Sequence, residues 1–248
     1  MTPLAIELVS GDELRRNVWL RTELALLAAP SYADATAILA REVAACTHLY
    51  LGRDRQDRLA GFFMTGREYL DIGQGLPLVH VGWSACRADL KNSGATMALF
   101  ERCIVDTQAW QRTLGRHALL WSTTASPTIY LGVTRFLANV EPRFDGSYSS
   151  EGGRLVQLLR ARLGAPASAD GEHPFALRAV ATATRYSEAE RARIAQIISR
   201  KRFGLFARLG IDEAREDRLI FIARTPVDIG RALSRASTLG LARQRSAA

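Results

Sequence analysis

Lysine is almost missing from this chain. Lys91 and Lys201 are the only two, so the formal net charge of +8 is carried nearly all by arginine. Cysteine is scarce as well: Cys46, Cys86 and Cys103 are odd in number and share no metal-ligand spacing. Cys46 and Cys103 sit among apolar neighbours and read as buried thiols, while Cys86 ends a strand pattern and is a weak candidate nucleophile. The four histidines, His48, His80, His117 and His173, form no HxH or HxxxH pair, so no structural metal is expected. No apolar run reaches the roughly 18 residues that span a bilayer. The opening MTPLAIELVSGDELRR lacks a basic stretch followed by an apolar core, so no signal peptide is expected and the expected location is the cytoplasm.

What is present is ordinary for a globular chain: 48% hydrophobic and 23% charged residues over 248 positions. That length suffices for one large domain or two small ones. The charge is unevenly spread. From Arg185 onward there are 14 Lys or Arg against 7 Asp or Glu, a basic excess suited to a phosphate-bearing cofactor, an acidic carrier protein or nucleic acid.

Periodicity gives the elements. AIELVS (5–10) has strand character and stops at Gly11; Asp12 then caps a helix over 13–28, ended by Pro30. A second helix is expected over 33–46. THLYLGRD (47–54) and LAGFFMTGREYLD (59–71) read as a hairpin, and LVHVGWSACR (78–87) as the next strand. Helix 95–114, strand 117–124 and a helix over 128–141 up to Pro142 follow, then a short helix in GRLVQLLRARLG. APASADGEHP (165–174) is the best linker candidate. FALRAVATATRY (175–186) reads as a strand, SEAERARIAQIISRKRFGLFARLG as a long basic helix with a Ser187/Glu190 capping box, and DRLIFIAR (217–224) as a last strand. Residues 1–224 are expected to form one domain, with a basic, frayed tail over 225–248. Hairpin-linked strands ahead of a β-α-β unit imply a mixed α/β sheet with helices on both faces.

The stretch Val79–Arg135 is the most informative. A strand feeds the polar turn KNSG and then a helix N-terminus, where backbone N–H groups and the positive helix end converge on an anion. This unit, within the whole strand order over about residues 4–224, resembles the GNAT acyltransferases, in particular the larger N-acyltransferases of that superfamily with an expanded C-terminal region. The family's Gln/Arg-x-x-Gly-x-Gly/Ala signature is matched by Lys91, Gly94 and Thr96 in LKNSGATMAL. The resemblance implies that Lys91, Asn92, Ser93, Gly94, Ala95 and Thr96 hold the diphosphate of a coenzyme A thioester. Arg87, at the strand end, either meets a phosphate or is simply solvated. The resemblance also implies a tyrosine after the fifth strand that protonates the leaving thiolate. In TTASPTIYLGVTRF that residue is Tyr130, behind the cap Ser126; it can equally anchor the helix to the sheet.

His80, between Val79 and Val81, is a candidate base if it faces a cleft, or a hydrogen-bonded core histidine if it does not. Glu68 and Asp71 are weaker alternatives. Trp83 and Trp121 read as core or pocket wall. The expected activity is N-acyl transfer from acyl-CoA or acyl carrier protein to a small-molecule amine, without metal. A thioester-using synthase of an N-acyl amino acid or signalling lipid is a variant of the same chemistry. The competing reading is a GNAT-like fold without catalysis, binding nucleic acid through the arginine-rich helix 188–209. Its isoleucines and phenylalanines fit a packed helix with a solvated basic face better.

Overall fold

The computed structural model describes residues 4–169, 171–180 and 186–225. Along the chain run β1 (Ala5–Ser10), α1 (Gly11–Arg16), α2 (Val18–Ala28), α3 (Ala35–Ala45), β2 (His48–Arg53), β3 (Leu59–Leu70), β4 (Leu76–Cys86) and α4 (Ala95–Leu114). Then come β5 (Leu119–Thr124), α5 (Pro127–Val133), β6 (Ala138–Glu141), α6 (Ser150–Arg162), β7 (Ala176–Leu177), α7 (Glu188–Lys201), α8 (Leu205–Arg208) and β8 (Arg218–Arg224). The sheet order is β1-β2-β3-β4-β5-β8-β6, with β7 also on β8. Every pairing is antiparallel except β4 with β5, which α4 connects as a parallel crossover.

The sheet is therefore mixed and carries helices on both faces, as expected from the sequence. One face is covered by α1–α3, whose Leu14, Leu24, Ile38 and Val43 pack with Phe62, Met64, Trp83 and Ala85. The other is covered by α4 and α6, whose Leu99, Phe100, Leu155 and Leu159 pack with Val79, Val81, Leu120 and Phe221. Strand β4 thus turns its apolar side chains to opposite faces before and after Gly82. A bulge in β4 opposite Phe63–Thr65 of β3 accounts for the reversal: between Val81 and Ser84 the strand carries one residue more than its partner, which inverts the alternation. Among the described residues no helix is long and apolar enough to cross a membrane.

Four expected elements differ. The helix over 13–28 is two, because the Asn17 side chain accepts from Leu20 N–H and opens a new helix there. The helix over 128–141 stops at Val133, and Ala138–Glu141 instead forms an edge strand on β8, where paired backbone outweighs helix propensity. The strand over 175–186 shrinks to Ala176–Leu177, closed by a left-handed Ala179 with φ 48°; residues 181–185 lie outside the described residues. The long basic helix breaks at Arg202, also left-handed at φ 48°, before α8. Of the expected tail, residues 226–248 lie outside the described residues.

The linker candidate is tied down at both ends. Buried Arg160 of α6 donates to the carbonyls of Pro166, Pro174 and Ala176, so its charge is solvated by backbone instead of water.

Candidate active site

β4 and β5 pair at only three positions, Leu78 with Leu119, Val79 with Leu120 and His80 with Trp121. Beyond these the two strands part. β4 follows β3 as far as Cys86, and Ser122–Thr124 of β5 follow β8. At the fork the Ser122 hydroxyl donates to the Val81 carbonyl, so a side chain stands where a backbone donor would continue the ladder. A cavity of about 320 Å³ fills the gap. Its walls include β4 from His80 to Cys86, β5 from Ser122 to Thr124, α3 residues on one face, and α4 and α5 residues on the other. The cavity therefore runs through the sheet from one helical layer to the other.

On the α3 side, His80 stacks on Trp121 with centroids 4.2 Å apart and planes at 21°. Burial, with the Arg162 and Arg41 charges acting the same way, pushes its imidazole down to about 4. His80 is thus neutral at neutral pH and a weak base whose free nitrogen can accept a hydrogen bond. Glu42 of α3 lines the same space, and burial raises its carboxyl although Arg41 lies 3.6 Å away. Gly82 makes room for it: a Cβ there would sit 2.9 Å from Glu42 Oε2 and 3.6 Å from His80 Cε1. The Tyr32 hydroxyl donates to the Ser84 carbonyl at 3.1 Å, and burial pushes that phenol up to about 12.

On the α4 side lies the turn singled out in the sequence. Asn92 (φ 71°) and Gly94 (φ 92°) are both left-handed, and Gly94, the N-cap of α4, has no side chain of its own to cap the helix. The Ser93 hydroxyl accepts from Ala95 N–H at 3.3 Å. Lys91, Asn92 and Thr96 line the cavity. The Lys91 ammonium is held 2.8 Å from Glu190 Oε1, from the first turn of α7. Tyr186, hydrogen-bonded to Ser126, completes this wall, and burial keeps its phenol protonated.

Four residues singled out in the sequence lie away from the cavity: Tyr130, Glu68, Asp71 and Arg87. Tyr130 is not at the cavity. It is buried, its hydroxyl donates to the Pro142 carbonyl, and its ring packs among Phe144, Phe203, Phe206 and Phe221. The local pattern was compatible with two positions for the ring; the phenylalanines of α8 and β8 decide for the anchor. Glu68 is likewise absent from the cavity wall and pairs with Arg162 of α6. Asp71 does not line it either. Arg87 does not line the cavity and is held by Asp54 at 3.0 Å and Asp89 at 2.7 Å, a clamp at the end of β4. Cys86 does line the cavity, but burial raises its thiol and disfavours the thiolate.

Sequence reasoning missed Glu42, Tyr186 and Glu190 as cavity residues. For Glu42 a signal existed: it follows Ile38 by four residues, which places a carboxylate on the apolar face of an amphipathic helix. Among the described residues no cluster of three or more His, Cys, Asp or Glu could hold a metal ion.

No protein-family model matches the chain, and no curated protein does. Solved structures do. Over 56% of its length the chain is similar to a conserved protein of unknown function from Enterococcus faecalis, at 12% identity and a TM-score of 0.40, spanning about a third (33%) of that protein. Over 55% it is similar to the GNAT-family N-acetyltransferase YhbS from Escherichia coli, solved with CoA, at 13% identity, 74% of that chain and a TM-score of 0.40. Over 58% it is similar to a Corynebacterium glutamicum histone acetyltransferase HPA2-related protein, at 9% identity, 87% of that chain and a TM-score of 0.41.

Proposed function

We propose that the protein is an N-acyltransferase that moves an acyl group from a coenzyme A thioester to an amine. The observation that carries this reading is the parting of β4 and β5 after His80 and Trp121. Between parted strands, backbone groups that would otherwise pair are left to a ligand, and the two amides of a pantetheine arm can lie against them as a short extra strand. The arm points its phosphates at the turn Lys91–Thr96, where Asn92 and Gly94 bend the backbone around the free end of α4. An acyl carrier protein presents the same arm on a single phosphate and is the alternative donor. The basic excess of the last quarter would suit its acidic surface.

The acceptor comes from the α3 side. The amine is received in its free-base form, and Glu42 and the neutral imidazole of His80 accept its N–H groups and aim its lone pair. The amine nitrogen then attacks the thioester carbonyl; a C–N bond forms, the C–S bond breaks, the Tyr186 hydroxyl protonates the leaving thiolate, and the proton shed by the nitrogen returns to Tyr186 through solvent. Orientation of the two reactants across the sheet supplies most of the rate.

Thermal denaturation tests the reading. Acetyl-CoA or a long-chain acyl-CoA at about 100 times its Kd should add about 2.7 kcal/mol of stability, or roughly 5–10 °C in Tm for a chain of this size. Acyl carrier protein is the parallel arm. No shift with any thioester, or a shift only with RNA that vanishes at high salt, overturns it and favours nucleic-acid binding through α7.

A further inference from the structure

We infer that Glu190 is an internal anion occupying the donor's phosphate subsite, so that the donor must displace it from Lys91 to bind. This rests on the proposed function.

Three observations converge. The first is placement. Lys91 precedes the turn that ends in Gly94, Glu190 belongs to the opening turn of α7, and both line the cavity. They are 99 residues apart in sequence, so only the fold brings them together, at 2.8 Å. The second is exposure. Each side chain retains about a quarter of its surface, 26% for Lys91 and 25% for Glu190, so the pair closes the mouth without being sealed from an incoming charge.

The third is how Glu190 is held. Its Oε2 accepts from the Ser187 N–H and hydroxyl, while Oε1 alone faces Lys91. The capping box satisfies one oxygen whether or not the other is paired. Glu190 can therefore give up Lys91 and stay bonded to Ser187, and α7 need not move. A phosphate oxygen takes the vacated ammonium and carries more charge than the carboxylate it replaces. A neutral molecule entering the cavity has nothing to offer Lys91 in exchange, so the pair biases the mouth toward anionic donors.

Glu190→Gln tests this cleanly, because glutamine also serves at the third position of a capping box and α7 keeps its start. Coenzyme A is the probe, with its Kd measured by titration calorimetry. The wild type should bind it, and Glu190→Gln about tenfold more tightly. Removing a negative charge near a phosphate helps by simple Coulomb attraction as well, and a double-mutant cycle separates the two effects. In a Lys91→Met background the same substitution should change Kd less than twofold, since no cation is left to be released. A tenfold gain that persists without Lys91 overturns the inference, as does a gain under twofold with Lys91 present; in either case wild-type binding leaves the donor reading standing. If neither protein binds coenzyme A, the donor reading and the inference fall together.

Discussion

His80 and Trp121 are the last residues that β4 and β5 set side by side, and their rings stack across the junction at 4.2 Å. The fork in the sheet begins at that stack. On one side the Ser122 hydroxyl takes the Val81 carbonyl; on the other Gly82 leaves the strand bare where Glu42 approaches. The gap is thus held open by the protein's own side chains, and four consequences can be measured.

Gly82→Ala places a methyl group 2.9 Å from Glu42 Oε2 and 3.2 Å from the Met64 carbonyl. The carboxylate must retreat, and overpacking should cost about 1–3 kcal/mol. Coenzyme A affinity should hold within about threefold, while thioester turnover against a panel of primary amines falls at least tenfold. Unchanged turnover would remove Glu42 from the acceptor site.

Tyr130→Phe deletes a buried hydroxyl that serves only the Pro142 carbonyl. Urea unfolding should report a loss of about 1 kcal/mol, with coenzyme A affinity and turnover close to wild type. A tenfold loss of turnover at unchanged stability would restore the tyrosine as the acid and place its hydroxyl at the thiolate after all.

Gly94→Val puts a β-branched residue at φ 92° and at the start of α4. The strain should cost about 1–3 kcal/mol and tilt the first turn away from its ligand, raising the Kd for coenzyme A about tenfold. If Kd is unaltered in a variant shown to be destabilised, the phosphates bind elsewhere.

Burial pushes both His80 and His48 down to about 4, whereas the unfolded chain titrates its histidines near 6.5. Below 6.5 the unfolded state therefore takes up protons that the folded state refuses. The stability these neutral histidines confer is complete above about pH 6.5 and drains away as the pH falls toward 4. Denaturant unfolding of His80→Gln and wild type should show a difference that narrows between pH 7 and 4.5. Parallel curves would mean that His80 titrates in the fold as it does in the open chain.

Much of this was legible in the sequence where local rules and tertiary packing agree. Helix α4 begins at Ala95 and ends at Leu114 as its periodicity and flanking Gly94 and Gly115 require. β1, β3 and the Ser187/Glu190 capping box fall where alternation and cap chemistry put them. The failures lie where a distant segment decides. Ala138–Glu141 is a strand because β8 offers it an edge, and Tyr130 is an anchor because Phe203, Phe206 and Phe221 surround it. The cavity itself belongs to this second class. Glu42 and His80 lie on different elements, and nothing in their separate surroundings says that Gly82 will let them meet.

β5 has three partners on β4 but six on β8, which is nearly the last described segment of the chain. A ribosome must therefore reach Arg218–Arg224 before the second wall of the fork has anything to lean on. Until Arg218–Arg224 emerges, the leading strands can assemble into a β1–β4 meander, while β5 waits with one edge bare. Assembly of the channel thus waits on a long-range pairing, the closure of β5 onto β8 across the intervening segments.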